Sequence, residues 1–230
     1  MPSRAIRVCL ATVAAAGLVG AGSALAAPPT GTGTEPTNLT DAKNAVERYH
    51  DSGAWDRDLA GVDQQARDFV QRRLHDGVTK PAIVLDIDDT ALSTYDFEKQ
   101  HDFGYDSGAF DEYAKDRKFT AIGPTRDLVR YAHDNGVAVF FVTGRREDPE
   151  LRQATAANLT EQGYPAPNGL YLRPVDDDAP SAVPYKSGTR AEIEKQGYDV
   201  LLSIGDQRSD LDGGHAERGF KLPNPMYSLP

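Results

Sequence analysis

A parallel β-sheet with helices on both faces is the architecture this chain of 230 residues predicts. Three observations lead there. Apolar runs at 83–85, 139–142 and 200–204 are rich in Val, Ile, Leu and Phe and show no alternation, the pattern of strands buried on both faces. Each run ends abruptly in Asp or in Thr-Gly. Stretches with helical periodicity separate them, as in a chain of β-α-β units.

The start of the chain stands apart. Arg4 and Arg7 precede an almost wholly apolar or small run from Val8 to Ala21, and Ala24-Leu25-Ala26 supplies an A-x-A cleavage signal. Residues 1–26 are therefore expected to be a secretory signal peptide, and the protein to be secreted to the extracellular side. The alternative is a retained anchor, for which the run is short and rich in Ala and Gly. No later segment is apolar enough to cross a bilayer, so no stable membrane association is expected. Cys9, the one cysteine, lies in this leader, so the processed chain is expected to be stabilised by its core and not by disulfides. Residues 27–39, rich in Pro, Thr and Gly, are expected to form a flexible lead-in. Residues 40–230 are expected to form one domain.

Formal net charge is −10, and more negative without the two leader arginines. An acidic chain with no Lys/Arg cluster is a poor partner for nucleic acid or anionic membrane. A phosphate site in it must bring its own local positive charge.

Along the domain, Thr40 or Asp41 is expected to cap a helix reaching about residue 50, and a second is expected over 58–75, stopped by Gly77. Pro81 opens the first strand, ending at Asp86. The segment 91–121 carries Tyr95, Phe97, Phe103, Tyr105, Phe110, Tyr113 and Phe119. It is too long for a strand-to-helix turn and reads as an insertion over the site, helical near 108–115. With the N-terminal helices (40–76) it is expected to form a small helical cap. A helix over 123–133, a strand over 137–142, a helix over 149–162, a short strand near 170–172, a Pro- and Asp-rich loop over 173–184, a helix over 187–196 and a strand over 200–204 complete the sheet.

In open parallel sheets ligands bind just beyond the carboxyl ends of the strands, where the abrupt endings of this sequence lie. Asp86 and Asp88 stand two residues apart after the first strand. If the backbone turns there, one carboxylate can attack while the other moves protons. The plain alternative is an Asp-rich helix cap, a role that suits Asp89. A Walker B strand lacks its partner, since no G-x-x-x-x-G-K-[ST] occurs, and a calcium loop fails because Ala91 occupies the position of the sharp-turn Gly. Thr143 and Gly144 end the second long strand with a hydroxyl and an open amide suited to phosphate oxygens, or simply make a turn. Lys186, near a helix start, offers an ammonium that offsets a carboxylate nucleophile beside a phosphate; alone it reads as a surface lysine. Asp206 and Asp210 share one side if a helix begins between them, and carboxylates so placed suit Mg²⁺. The five His residues show no pair at metal-ligand spacing, and no G-x-S-x-G elbow is present.

Taken together, Asp86-Ile87-Asp88-Asp89-Thr90, Thr143-Gly144-Arg145, Tyr185-Lys186-Ser187 and Gly205-Asp206-Gln207-Arg208-Ser209-Asp210 resemble the four motifs of haloacid-dehalogenase-like (HAD-like) phosphatases. With the tail Phe220-Lys221-Leu222-Pro223-Asn224-Pro225-Met226-Tyr227, the chain is similar to the secreted acid phosphatase branch, which includes bacterial class B and class C acid phosphatases and plant vegetative storage proteins. The resemblance spans roughly residues 40–230. It implies an α/β Rossmann-like fold and a secreted Mg²⁺-dependent acid phosphatase that hydrolyses small phosphomonoesters, nucleoside monophosphates among the candidates, through an aspartyl phosphate. Asp86 would be nucleophile and Mg²⁺ ligand. Asp88 would be general acid/base and a ligand through its main-chain carbonyl. Thr143, Gly144 and Lys186 would bind the phosphoryl group, and Asp206 and Asp210 would complete the metal site. Many members carry Glu where Asp89 stands, a change that keeps the charge. A non-catalytic storage or binding protein on the same fold, or a phosphotransferase, are the alternatives.

Overall fold

The computed structural model describes residues 36–229; the expected signal peptide and most of the lead-in lie outside them. Helices α1 (Leu39–Asp51) and α2 (Ala54–His75) precede strand β1 (Pro81–Leu85). A short strand β2 (Leu92–Ser93), helices α3 (Tyr95–Gln100) and α4 (Ser107–Lys115) and strand β3 (Thr120–Ala121) follow. Then come α5 (Gly123–Asp134), β4 (Ala138–Arg146), α6 (Pro149–Glu161), β5 (Gly169–Arg173), α7 (Val183–Lys195) and β6 (Asp199–Gly205). A 3-10 turn (Arg208–Asp210) and β7 (Arg218–Lys221) end the succession.

The main sheet has the order β5-β4-β1-β6-β7 with every pairing parallel. The α/β class with helices on both faces is as expected. From β1 the chain builds outward through β4 to β5, then crosses to β6 on the other side. The order thus reverses beside β1, which makes the carboxyl ends of β4, β1 and β6 the mouth of a crevice.

Strand periodicity sorts the core. Ile83, Leu85, Val139, Phe141 and Ile204 face the larger cluster, which holds Leu59, Ala66 and Val70 of α2 and Leu128, Val129 and Ala132 of α5. Ala82, Val84, Ala138, Phe140 and Val142 point the other way, onto Ile193 of α7. Burying these apolar residues fixes which face each side chain takes, because a one-residue slip would turn them all to the other side.

Several local expectations need correction. The side chain of Asn38, not Thr40 or Asp41, caps α1, accepting from Thr40 N at 2.9 Å. Helix α2 begins four residues earlier than expected and packs on α5, β6 and β7, so it is a layer of the sheet and not part of a cap. In α7, Pro184 occupies the first turn, where its missing N–H costs nothing, and the helix therefore starts at Val183 and takes Lys186 into its first turn. Strand β7 and helix α3 were not anticipated.

Most of the aromatic residues in the insertion pack on one another as part of the larger core cluster. Phe97, Phe110 and Phe119 are buried; the Phe97 and Phe110 rings meet edge-on at 5.3 Å and the Phe110 and Phe119 rings at 5.2 Å. Tyr105 is the large exposed one. Among the described residues no helix is long and apolar enough to cross a membrane.

Candidate active site

Three of the expected carboxylates meet. Asp86 follows β1 directly, Asp206 follows β6, and Asp210 is brought back by the 3-10 turn; each offers an oxygen within 4.8 Å of the others, and all three are buried. The turn, not an α-helix as expected, achieves this. Gln207 N donates to Asp210 Oδ2 at 2.7 Å, folding the acid back over the strand end. Gly205 makes room for it, because a Cβ there would stand 2.1 Å from Asp210 Oδ2.

Lys186 joins the cluster from α7. Its Nζ donates to Asp86 Oδ1 at 2.6 Å and also to Asp210 Oδ1. Burial opposes its charge, but Asp210 and Asp86 outweigh that and hold it well above the usual lysine range. Asp86 is pushed up, first by burial and then by the neighbouring acids Asp210, Asp206 and Asp88, against the pull of Lys186. Asp206 rises to about 6, through burial and Asp210.

Three buried carboxylates and one ammonium make a site with too few positive charges for its acids. The donor set is all oxygen, hard and anionic, which fits Mg²⁺ or a similar divalent cation and not a soft metal. The Asp206 side chain is oriented for such a role. Gln207 Nε2 and Asn224 Nδ2 donate to its Oδ2 at 2.6 and 2.7 Å, and Thr90 Oγ1 donates to its Oδ1 at 3.2 Å.

The side chain of Asp88 is not in this cluster. It faces Arg145, whose Nε donates to Oδ2 at 3.0 Å and Nη2 to Oδ1 at 2.7 Å. The Asp86 and Asp88 side chains thus diverge, one toward Lys186 and one toward Arg145, as two residues on a strand end that begins to turn should. Arg145 also donates through Nη1 to Thr155 Oγ1 at 2.7 Å and lies under the rings of Phe119 and Phe110, 5.2 and 5.8 Å from their centres.

Thr143 is fully buried and its Oγ1 accepts from Arg145 N at 3.2 Å; Gly144 is exposed beside it. Asp89 does not cap a helix. It sits at φ 52°, buried, and accepts from Thr94 N at 2.9 Å, Thr94 Oγ1 at 2.5 Å and Tyr227 OH at 2.7 Å. Burial, then the charge of Asp206, push its carboxyl up to about 8.

Sequence reasoning did not assign Arg145, Thr90, Gln207, Asn224 or Tyr227. Arg145 and Gln207 stand inside motifs that were singled out, and Asn224 and Tyr227 stand in the tail. Arg145, Thr90 and Tyr227 meet partners 57, 116 and 138 residues away, contacts that leave no local signal.

The sequence pattern described as "HAD superfamily, subfamily IIIB (Acid phosphatase)" matches residues 27–230. The chain is 35% identical over 191 residues to the stem 28 kDa glycoprotein of Glycine max, covering 80% of this chain and 74% of that one. It is also 35% identical over 150 residues to acid phosphatase 1 of Solanum lycopersicum, covering 64% of this chain and 58% of that one. In fold it is similar to the class C acid phosphatase from Bacillus anthracis, with a TM-score of 0.68 and 24% identity over 83% of this chain and 86% of that one.

Proposed function

The chain belongs to the acid phosphatases of HAD subfamily IIIB, phosphomonoesterases, and from that membership we propose that it hydrolyses small phosphomonoesters in two steps through an aspartyl phosphate on Asp86. The observation that carries this reading is the meeting of Asp86, Asp206, Asp210 and Lys186 at one strand-end crevice, with Asp88 beside it and turned toward Arg145.

Asp86 attacks phosphorus; the Oδ–P bond forms as the bond to the leaving oxygen breaks. Asp88 delivers a proton to that oxygen and then takes one from the water that attacks the acyl phosphate, releasing inorganic phosphate and restoring the carboxylate. Lys186, Thr143 and the Gly144 N–H hold the transferring phosphoryl oxygens. Asp86, Asp206, Asp210 and the main-chain carbonyl of Asp88 would hold Mg²⁺. Bound there, the ion would offset the charge that a phosphate dianion brings to an acidic site. Phosphoryl transfer depends mainly on such positioning and charge balance. Asp88 keeps its place through Arg145, and each of its oxygens, having accepted one N–H, retains a lone pair for the proton.

Export of the chain is part of the same proposal, on the strength of the leader pattern. The substrate class is small phosphomonoesters, with nucleoside monophosphates as candidates because an exposed ring, Tyr105, stands in the insertion.

The test is phosphate release from p-nitrophenyl phosphate and a nucleoside monophosphate panel, with Mg²⁺ and with EDTA. Release that EDTA abolishes and Mg²⁺ restores is the expected result. A folded protein that releases none across acidic to neutral pH is a storage or binding protein. A new phosphoester on an added alcohol would identify a phosphotransferase.

A further inference from the structure

Residues 222–229, the tail after β7, hydrogen-bond to groups at the site at several points. Leu222 N donates to Gly205 O at 2.8 Å, at the end of the strand that carries Asp206. Asn224 Nδ2 donates to Asp206 Oδ2 at 2.7 Å. The Asn224 side-chain oxygen accepts from Met226 N at 2.8 Å, which fixes the amide the right way round for that bond. Tyr227 OH donates to Asp89 Oδ2 at 2.7 Å. Leu229 N donates to the side-chain oxygen of Gln207 at 2.9 Å, and Gln207 in turn donates to Asp206. On its outer side the tail is held by Trp55, whose indole N–H donates to Pro223 O at 3.1 Å.

These bonds converge on two carboxylates. Asp206 receives the Asn224 bond directly and the Leu229 bond through Gln207. Asp89 receives the Tyr227 bond and so anchors the loop between Asp88 and Thr94, which also carries Thr90 with its bond to Asp206. Groups that hydrogen-bond to a metal-ligating carboxylate orient it and tune its affinity.

We infer that residues 222–229 are a positioning strap for the cation site, in which Asn224 and Tyr227 fix Asp206 and the Asp88–Thr94 loop and thereby set the affinity for a divalent cation. This rests on the proposed metal site. Asn224 and Tyr227 are positioning residues: they touch carboxylates and not the reacting atoms. Leu222 packs into the core, and beyond it the strap presents an amide and a phenol to two buried acids.

The experiment is calorimetric titration of the full chain with MgCl₂, with no substrate present, alongside the rise in melting temperature that Mg²⁺ produces. Asn224→Ala is expected to raise the Kd for Mg²⁺ about tenfold or more. Tyr227→Phe, which removes one oxygen atom and leaves the packing, is expected to raise it several-fold. Ser228→Ala, an exposed change in the same segment, should match the wild type. If Asn224→Ala fails to fold, Tyr227→Phe decides the matter alone. Variants that bind Mg²⁺ within a factor of two of wild type, even with a lower melting temperature, would make the strap structural only and overturn the inference. A wild type that neither binds Mg²⁺ nor gains stability from it would overturn the metal site itself, a distinguishable result.

Discussion

Arg145 grips Asp88 with two parallel hydrogen bonds, Nη2 to Oδ1 at 2.7 Å and Nε to Oδ2 at 3.0 Å. The guanidinium is itself fixed, 1% exposed, between Thr155 of α6 and two aromatic rings of the insertion, while the Asp88 side chain remains 18% exposed. One end of the pair is locked and the other is open to the crevice. The planar fork of Arg leaves the carboxylate little rotational freedom. Rings Phe110 and Phe119 of the insertion thus form the wall against which Arg145 holds Asp88, the proposed proton-handling acid.

Replacing Arg145 by Met should therefore impair proton transfer more than binding. We expect kcat/KM, which reports transfer of the phosphoryl group to Asp86 alone, to fall on the order of 10²-fold for alkyl phosphates, with a smaller fall for p-nitrophenyl phosphate, whose leaving group departs with little protonation. Arg145→Lys should recover only part, since an ammonium cannot bind both oxygens in the same way. Equal losses on good and poor leaving groups would show that Arg145 acts on something other than Asp88.

Replacing Asp86 by Asn removes the attacking oxygen while keeping the shape. Turnover should fall at least about 10³-fold, and the hydroxylamine-sensitive phosphoryl label that the wild type traps should vanish. Folding should survive, because burial and three neighbouring acids already oppose the Asp86 charge. A melting temperature close to that of the wild type, with turnover gone, is the expected pair of results; near-wild-type turnover would sink the nucleophile assignment.

How much of this was legible in the sequence follows from the range of the interactions. Strand ends were legible because buried runs such as Ile83-Val84-Leu85 stop at a charge that needs a special reason to be there. Asp86, Thr143 and Asp206 are carried to one edge by the topology alone. Strand β7 was not legible: it is a four-residue edge strand with only Phe220 buried, so it has no apolar run. Helix α3, six residues long, is too short to show a period. The placement of Asp210 depended on a 3-10 turn whose N-cap bond no propensity reports. Arg145 meets Asp88 57 residues away and Asn224 meets Asp206 18 residues away; spacing does not encode such contacts. The tail stood out only by its likeness to the family; the carboxylates it meets are set by tertiary contacts such as Tyr227 with Asp89.

Gly205→Ala tests the close approach under Asp210. A methyl group would stand 2.3 Å from the Asp210 Cβ and Cγ, at the end of a buried strand. Neither side can give way without breaking the Gln207–Asp210 bond or moving β6. A loss of about 1–3 kcal/mol in urea denaturation is expected, together with weaker Mg²⁺ binding because Asp210 is displaced. A variant as stable as the wild type with unchanged Mg²⁺ affinity would mean that the turn shifts freely.

Asp63 predicts how stability depends on pH. It lies buried in α2 against α5, where Oδ2 accepts from Thr125 Oγ1 at 3.1 Å and Oδ1 has no partner. Burial, against the Thr125 bond and with help from nearby Asp127, raises its pKa from 3.8 to about 7. The folded state therefore keeps a proton that the unfolded chain has already lost. The stabilisation linked to Asp63 is complete below the unfolded pKa and is lost as pH rises toward the folded one, with roughly 4 kcal/mol as the ceiling. Urea denaturation of the metal-free protein from about pH 4 to about pH 8 should show stability falling, and Asp63→Asn, neutral throughout, should flatten that slope. An identical slope in the variant would show that Asp63 ionises freely in the folded state, through local opening of the α2–α5 contact.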